Sequence, residues 1–391
     1  MKVLYIFDED DKYGASKAGV EMIVHLREKY NIIPIVITSK KNKVNEFCRE
    51  NKIENYVTGH RKFTYCVTSS KFKSSIKWLP RYVRYIMCNY IAIKKVKKYI
   101  DIRNVDLIHS NNSGIDLGIK LSKIYGKKNI IHIREFGPGN TKYNVKSYKK
   151  NYIREFNLYS SKLIVISKAL KEFWLNKGIK QNNLKVVYDG IELNDIENKE
   201  KWFIGNKINI VMIGSISSGK GQCDLVKAIN LLTKEELEKI SVDIIGDGQS
   251  EEVKKVKELI KKYNLSKTIN LIGYRKDIGK ILKEYDIGIL CSDAEGFGRV
   301  TVEYMAAGLC PIVSNKGANI ELVKNDFNGL IYKKDDINDL VRKIRFIIND
   351  KNSSIVQKIG KNAKNETTKY NLETCVENIM SLYKELIGDT K

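Results

Sequence analysis

Two α/β domains, each an open, doubly wound parallel sheet of Rossmann-like type, are the fold the sequence predicts, and three observations predict it. Short apolar runs rich in Ile and Val recur along the 391 residues without the alternation of a half-exposed sheet, as strands buried on both faces do. Each run is followed by a charged stretch of helical period, the rhythm of βα units. The series restarts once, and a chain this long exceeds what one hydrophobic core usually organises.

In chain order the runs of the first half are "VLYIF", "IIPIVIT", "DLIHS", "NIIHIR", "KLIVIS" and "LKVVY". Those of the second half are "INIVMIG", "SVDIIG", "INLIG", "IGILC", "CPIVS" and "GLIY". Between them "ELNDIENKEKWFIGNK", residues 192–207, is charged and strand-poor and reads as a linker. The expected domains are therefore 1–191 and 208–370, with a helix-like stretch in 371–391 that crosses back to the first domain. Two such sheets facing across a cleft would direct the carboxyl ends of their strands to one ligand, so the loops after strands are where chemistry is sought.

Composition narrows the class. With 42% hydrophobic residues, 9% aromatic residues and only four prolines the chain can bury large cores, so a disordered protein is excluded. A net charge of +24 favours polyanionic partners: nucleic acid, anionic lipid or nucleotide-linked substrates. Part of that excess follows from a composition rich in Lys, Ile and Asn throughout. No nucleic-acid-binding motif is present, so nucleic acid is not expected as a partner. The seven cysteines are scattered without a CxxC pair, which suits reduced thiols in a cytoplasm. Four equally scattered histidines give no zinc pattern. "VLYIF" is too short and too acidic at its edge for a signal peptide, and no run approaches the ~18 residues that span a bilayer. The expected location is cytoplasmic, with a peripheral membrane position open.

The loop "MIGSISSGKGQ", residues 212–222, resembles a phosphate-binding P-loop: Gly214, Gly219 and Lys220 satisfy GxxxxGK after an apolar run. The next residue, Gly221, lacks the hydroxyl with which Ser or Thr would hold Mg²⁺. The lysine is thus a candidate grip for phosphate of another kind. After "IGILC" comes "SDAEGFGRVTVEYMAAGLCPIVSN". A helix starting near Gly298 and capped at Gly308 would aim its free N–H groups at an anion or at sugar hydroxyls. Glu295 stands at its lip and Glu303 in its second turn, two carboxylates for different hydroxyl-bearing parts of one ligand; the alternative is that both are solvated acids beside a helix N-terminus.

The segment "EGFGRVTVEYMAAGLCPIVSN" resembles the signature of glycosyltransferase family 4, retaining enzymes of GT-B fold that use nucleotide-sugar donors. "VISKAL", "VVYDGIE", "GSISSGKGQ", "IIGDG" and "INLIGYRKDI" fall in that family's order, so the resemblance spans the chain and is strongest in the second half. It implies that the first domain binds acceptor and the second binds donor. It further implies that Glu295 contacts donor-sugar hydroxyls, Glu303 the ribose diol, and the backbone of Gly296, Phe297 and Gly298 the sugar and pyrophosphate. Lys220 would neutralise the pyrophosphate, and Gly273, Tyr274 and Arg275 would border the base. Many relatives carry Arg where this chain has Ser215, and Arg299 or Arg275 would have to compensate. The resemblance implies no metal and no cofactor besides the donor, and a glycan or lipid-linked acceptor of a bacterial surface polymer. An inactive nucleotide-sugar binder and a P-loop-like NTPase remain the alternatives.

In the first half, "KYGASKAG" offers Gly14, Ala15 and Ser16 for close approach of a phosphate. "HIREFGPGN" places His132, Arg134 and Glu135 at an expected cleft edge, with His132 at a position where relatives often have a histidine near the reacting sugar. "DED" at residues 8–10 resembles the metal site of another glycosyltransferase fold, but its place after the first strand argues against that. Residues 71–100 contain no acid. There Val83, Ile86, Tyr90 and Ile93 recur at helical spacing, while Arg81, Arg84, Lys95 and Lys98 share another face, with Trp78 nearby. Such a helix suits either a protein core or an anionic membrane surface.

Overall fold

The computed structural model describes residues 1–8, 14–66, 78–138, 145–203, 206–349 and 354–388. They form two compact units, Met1–Gly190 with Leu372–Lys391, and Ile191–Asn371.

The sheet of the first unit contains β1 (Lys2–Ile6), β2 (Ile33–Thr38), β3 (Glu54–Val57), β5 (Leu107–Ser110), β6 (Lys128–Ile133), β8 (Lys162–Val165) and β9 (Leu184–Val186). Its order is β3-β2-β1-β5-β6-β8-β9, parallel throughout. All six apolar runs expected in this half are strands, because Val3, Leu4, Ile6, Ile108, Ile131 and Ile164 are buried as only a doubly covered sheet allows. Three strands escaped the sequence reading. The edge strand β3, "ENYV", is partly exposed and carries no apolar run. The short β4 (Thr64–Cys66) and β7 (Val145–Ser147) form a separate antiparallel pair.

Helix Leu372–Ile387 is built into the first unit. It lays Val376, Ile379 and Tyr383 in one core with Met22, Ile23 and Leu26 of helix Gly14–Tyr30. Lys29 reinforces the contact by pairing with Glu373 and Glu377.

The second sheet contains β10 (Ile208–Ile213), β11 (Ile240–Ile245), β12 (Ile269–Gly273), β13 (Ile287–Leu290), β14 (Cys310–Ser314) and β15 (Leu330–Tyr332). Its order, β12-β11-β10-β13-β14-β15, reverses between β10 and β13. The segment expected to be a linker, 192–207, belongs to this unit and is anchored on it at Ile196, Lys199 and Trp202. Lys199 is buried against Asp286 at 3.0 Å, and the Trp202 indole donates to the Gly308 carbonyl at 3.1 Å. Asp286 also accepts from the Phe203 and Asn209 amides, so its charge is fully satisfied inside the fold.

Candidate functional site

The reversal of strand order between β10 and β13 opens the carboxyl edge of the second sheet to a ligand, and the loops after those two strands meet there. After β10 the chain turns through Gly214 and reaches Gly221 in a left-handed conformation, φ 78°. A Cβ on Gly221 would lie 2.3 Å from the Cys291 carbonyl oxygen. The position where a P-loop carries its Mg²⁺-binding hydroxyl therefore admits no side chain. Gln222, buried at the start of helix Gln222–Ile229, shapes the loop by donating to the Ser215 carbonyl at 3.1 Å and accepting from the Ser217 amide at 3.4 Å.

The loop after β13 is stitched to this one. The Asp293 amide donates to Gly219 O at 2.9 Å, and the Ala318 amide to Glu295 O at 2.9 Å. Gly317 lies so close that a Cβ would sit 2.4 Å from Glu295 O. With its backbone held on both sides, Glu295 places a carboxylate oxygen 2.6 Å from Lys220 Nζ. The structure thus brings together the two residues singled out from separate loops, and without a ligand they neutralise one another.

Helix Arg299–Ala306 begins beside this pair, with Gly298 at its N-cap in a left-handed conformation, φ 96°, and no capping side chain. The first-turn N–H groups are therefore not claimed by a cap. Glu303 is half-buried in the second turn, and Arg299 and Gly296 are half-buried at its start. Phe297 is buried and packs edge-on against Tyr370, with ring centroids 5.6 Å apart. Tyr304 fixes the helix from below: its hydroxyl accepts from the Ile213 amide at 2.7 Å and donates to Ile289 O at 3.4 Å. Gly288 makes room for the ring, and burial raises the phenol well above its ordinary pKa, so it stays protonated. A second cation, Lys334, is buried 2.5 Å from Asp224 and 3.2 Å from Asp293, locking the helix after β10 to the loop after β13.

The base-side residues are looser. Gly273 turns at φ 82°, Tyr274 is exposed, and Arg275 is engaged by Asp277 at 2.8 Å. Ser215, where many relatives carry Arg, is half-buried with its carbonyl held by Gln222.

Within the first unit, Gly14 and Ala15 start a helix, and Ala15 O accepts from Asn111 at 3.1 Å. Asn111 in turn accepts from Arg134 Nε at 3.1 Å, while Arg134 pairs with buried Asp189. His132 differs from expectation. It lies within β6, in the expected strand run, and is fully buried rather than at a cleft edge. Arg134, a fixed donor, lies 3.3 Å from His132 Nδ1 and makes that nitrogen the acceptor. His109 Nε2, 3.2 Å away, must then donate, leaving His109 Nδ1 to accept from the Tyr383 hydroxyl at 2.5 Å. Burial, Arg134 and His109 hold His132 well below its ordinary pKa. Its Nε2 has no hydrogen-bond partner among the described residues. Glu135 is pushed up by burial and accepts from the Ser113 amide and hydroxyl. Asp8 pairs with Lys62 at 2.5 Å. Glu9, Asp10, Lys12, Tyr13, Gly139, Asn140 and residues 71–77 lie outside the described residues. Among the described residues no group of three His, Cys, Asp or Glu is placed to hold a metal.

Comparison with known proteins bears on the family and the fold. Residues 194–366 match the family model described as glycosyl transferases group 1. An uncharacterized glycosyltransferase of Methanocaldococcus jannaschii is 29% identical over 75% of this chain and 80% of its own length. The UDP-Gal:alpha-D-GlcNAc-diphosphoundecaprenol alpha-1,3-galactosyltransferase of Escherichia coli is 27% identical over 77% of this chain and 82% of its own. Among solved structures, Anabaena HepE in complex with UDP and glucose superimposes with a TM-score of 0.79 over 98% of this chain and 100% of that one, at 19% identity, a likeness of fold alone. The chain therefore has the GT-B fold, and residues 194–366, within its second unit, match the model of glycosyl transferases group 1.

Proposed function

We propose that the protein is a retaining glycosyltransferase of family 4 that moves a hexosyl or related group from a nucleoside diphosphate sugar to a glycan or lipid-linked acceptor, without a metal. The observation that carries this reading is the Lys220–Glu295 pair beside the uncapped helix N-terminus at the strand-order reversal. A diphosphate is the ligand that would exchange with Glu295 for Lys220. The displaced carboxylate is then released to accept from sugar hydroxyls, while Glu303 faces the ribose diol. As the bond to the anomeric carbon breaks, negative charge grows on the departing diphosphate. Lys220 and the first-turn N–H groups stabilise that charge, which is the main catalytic effect in this reading. His132, neutral and buried, is given a positioning role beneath the acceptor side rather than contact with the proton in transit.

Relatives named for UDP-galactose and crystallised with UDP make a uridine donor the first to test. A relative from Campylobacter jejuni is likewise named for a diphospho-undecaprenol substrate, which favours synthesis of a bacterial surface polysaccharide or glycolipid at the cytoplasmic face of a membrane.

The test is a thermal-shift screen of UDP, GDP, ADP, CMP and their sugar conjugates, each with Mg²⁺ and with chelator. A ligand at a hundred times its dissociation constant adds about 2.7 kcal/mol of stability. The expected result is a chelator-insensitive shift with one nucleoside diphosphate. A shift confined to Mg-ATP or Mg-GTP, or none at all, overturns the proposal.

A further inference from the structure

Helix Trp78–Tyr99 turns a mixed seam inward, polar in its first half and apolar in its second. Tyr85, Asn89, Ala92 and Val96 are its buried residues, one stripe at spacings of four and three. The stripe is held by hydrogen bonds as much as by apolar contact: Tyr85 donates to Asp116, and Asn89 donates to Arg61 O at 3.0 Å and accepts from the Arg61 amide at 3.4 Å. The opposite face is apolar and open to solvent. Leu79, Val83, Ile86, Met87, Tyr90 and Ile91 line it over about three turns, with Leu79, Met87 and Tyr90 each about 60% exposed. Of the residues expected at this helical spacing, only Ile93 turns toward the core. A helix serving only to cover the sheet would have the reverse arrangement, and a contiguous apolar face of this extent marks an interaction surface.

Charge identifies what covers it. Arg81, Arg84, Lys94, Lys95, Lys97 and Lys98 flank the apolar face or continue it at its C-terminal end, and no acid occurs from residue 78 to 100. Pairing with a second copy of the same face would bring these cations against one another. A protein partner would need a long apolar stripe edged by acids. An anionic bilayer supplies both an apolar interior and a negative rim with no matching sequence. Lys94 already folds over the Tyr90 ring, 4.5 Å from its centroid, the disposition of a chain whose stem lies in acyl groups and whose ammonium reaches the headgroups.

We infer that this helix lies in the surface of an anionic membrane, with Leu79, Val83, Ile86, Met87, Tyr90 and Ile91 among the acyl chains and the six flanking cations at the headgroups. The inference does not rest on the donor site, which belongs to the other unit. Its experiment is co-sedimentation of the full chain with phosphatidylglycerol vesicles and with phosphatidylcholine vesicles, without nucleotide. Binding is expected to the anionic vesicles only and to weaken with salt, with the Trp78 emission moving to the blue. Replacing Ile86→Asp together with Met87→Asp leaves every cation in place and alters only exposed positions; it should weaken binding at least about tenfold. Neutralising Arg84, Lys94, Lys95 and Lys98 to Gln should weaken binding about fivefold for each cation that reaches the surface. An unchanged melting temperature in either variant shows that the fold is intact. Binding indifferent to the apolar pair, equal binding to both vesicle types, or a solution dimer broken by the same pair would overturn the inference. A failed nucleotide screen would leave it standing.

Discussion

At Gly221 one missing hydroxymethyl group separates this loop from a P-loop. The sequence up to Lys220 matches a P-loop, and the sheet context matches as well, yet a side chain at the next position would collide with the Cys291 carbonyl in a backbone conformation that disfavours it. Gly221→Ser should therefore confer no Mg-nucleotide binding and should destabilise the second unit by about 2 kcal/mol or more in urea denaturation. A stable variant that binds Mg-ATP would revive the NTPase. The carboxylates invite a different comparison. Glu295→Gln removes the charge that holds Lys220, so turnover should fall about a hundredfold or more while UDP affinity stays level or rises. Glu303→Ala should weaken UDP by about tenfold with a smaller effect on turnover at saturation. Calorimetry and initial rates separate the two, and equal losses in both quantities would sink the assigned roles. Lys220 and Glu295 were readable because glycines and strand ends surround them in the chain. Gln222 was not, since a glutamine opening a helix has no distinctive pattern. Lys334 was hidden among 70 basic residues, because only folding brings Asp224 and Asp293 to it.

Elements were more readable than single contacts. Each expected apolar run became a strand, since a sheet covered on both faces demands the same apolar residues wherever it occurs. Edge strands face weaker demands, and β3, β4 and β7 left no such trace. The basic helix was recognisable by period, but its orientation was not: spacing tells which residues share a face, and not which face turns inward. Helix Arg299–Ala306 shows how an element is aimed once formed. Tyr304 ties it to β10 and β13 through a buried hydroxyl. Tyr304→Phe leaves the Ile213 amide without that acceptor inside the fold, so it should lower stability by about 1–3 kcal/mol. If the tyrosine aims the helix, donor affinity should fall as well; a stability loss with unchanged nucleotide binding would limit Tyr304 to packing.

At the scale of the whole molecule the two units should respond differently to acid. All four histidines lie in the first unit. Burial lowers His60 to about 4 and His109 to about 3, the latter helped by Arg134, and holds His132 far below its ordinary value. Between pH 6.5 and 4 the unfolded chain takes up protons that these folded rings refuse, so the first unit loses stability as pH falls through that window and gains none above it. Calorimetry from pH 7.5 to 4.5 should show its transition moving down relative to that of the histidine-free second unit; parallel movement would remove the histidines as the cause. Sequence also revealed two domains and a returning last helix, but missed that 192–207 is built into the second unit, because its partners Asp286 and Gly308 lie far along the chain. The last helix has a consequence of timing. Its residues fill the core beneath Met22 and Leu26, yet a ribosome delivers them only after the entire second unit has emerged. The sheet synthesised first must wait, one face only partly covered, while the later one folds behind it. A chain that stopped before residue 372 would leave that part of the face uncovered and open to proteases, so truncation late in the sequence is felt in the unit made first.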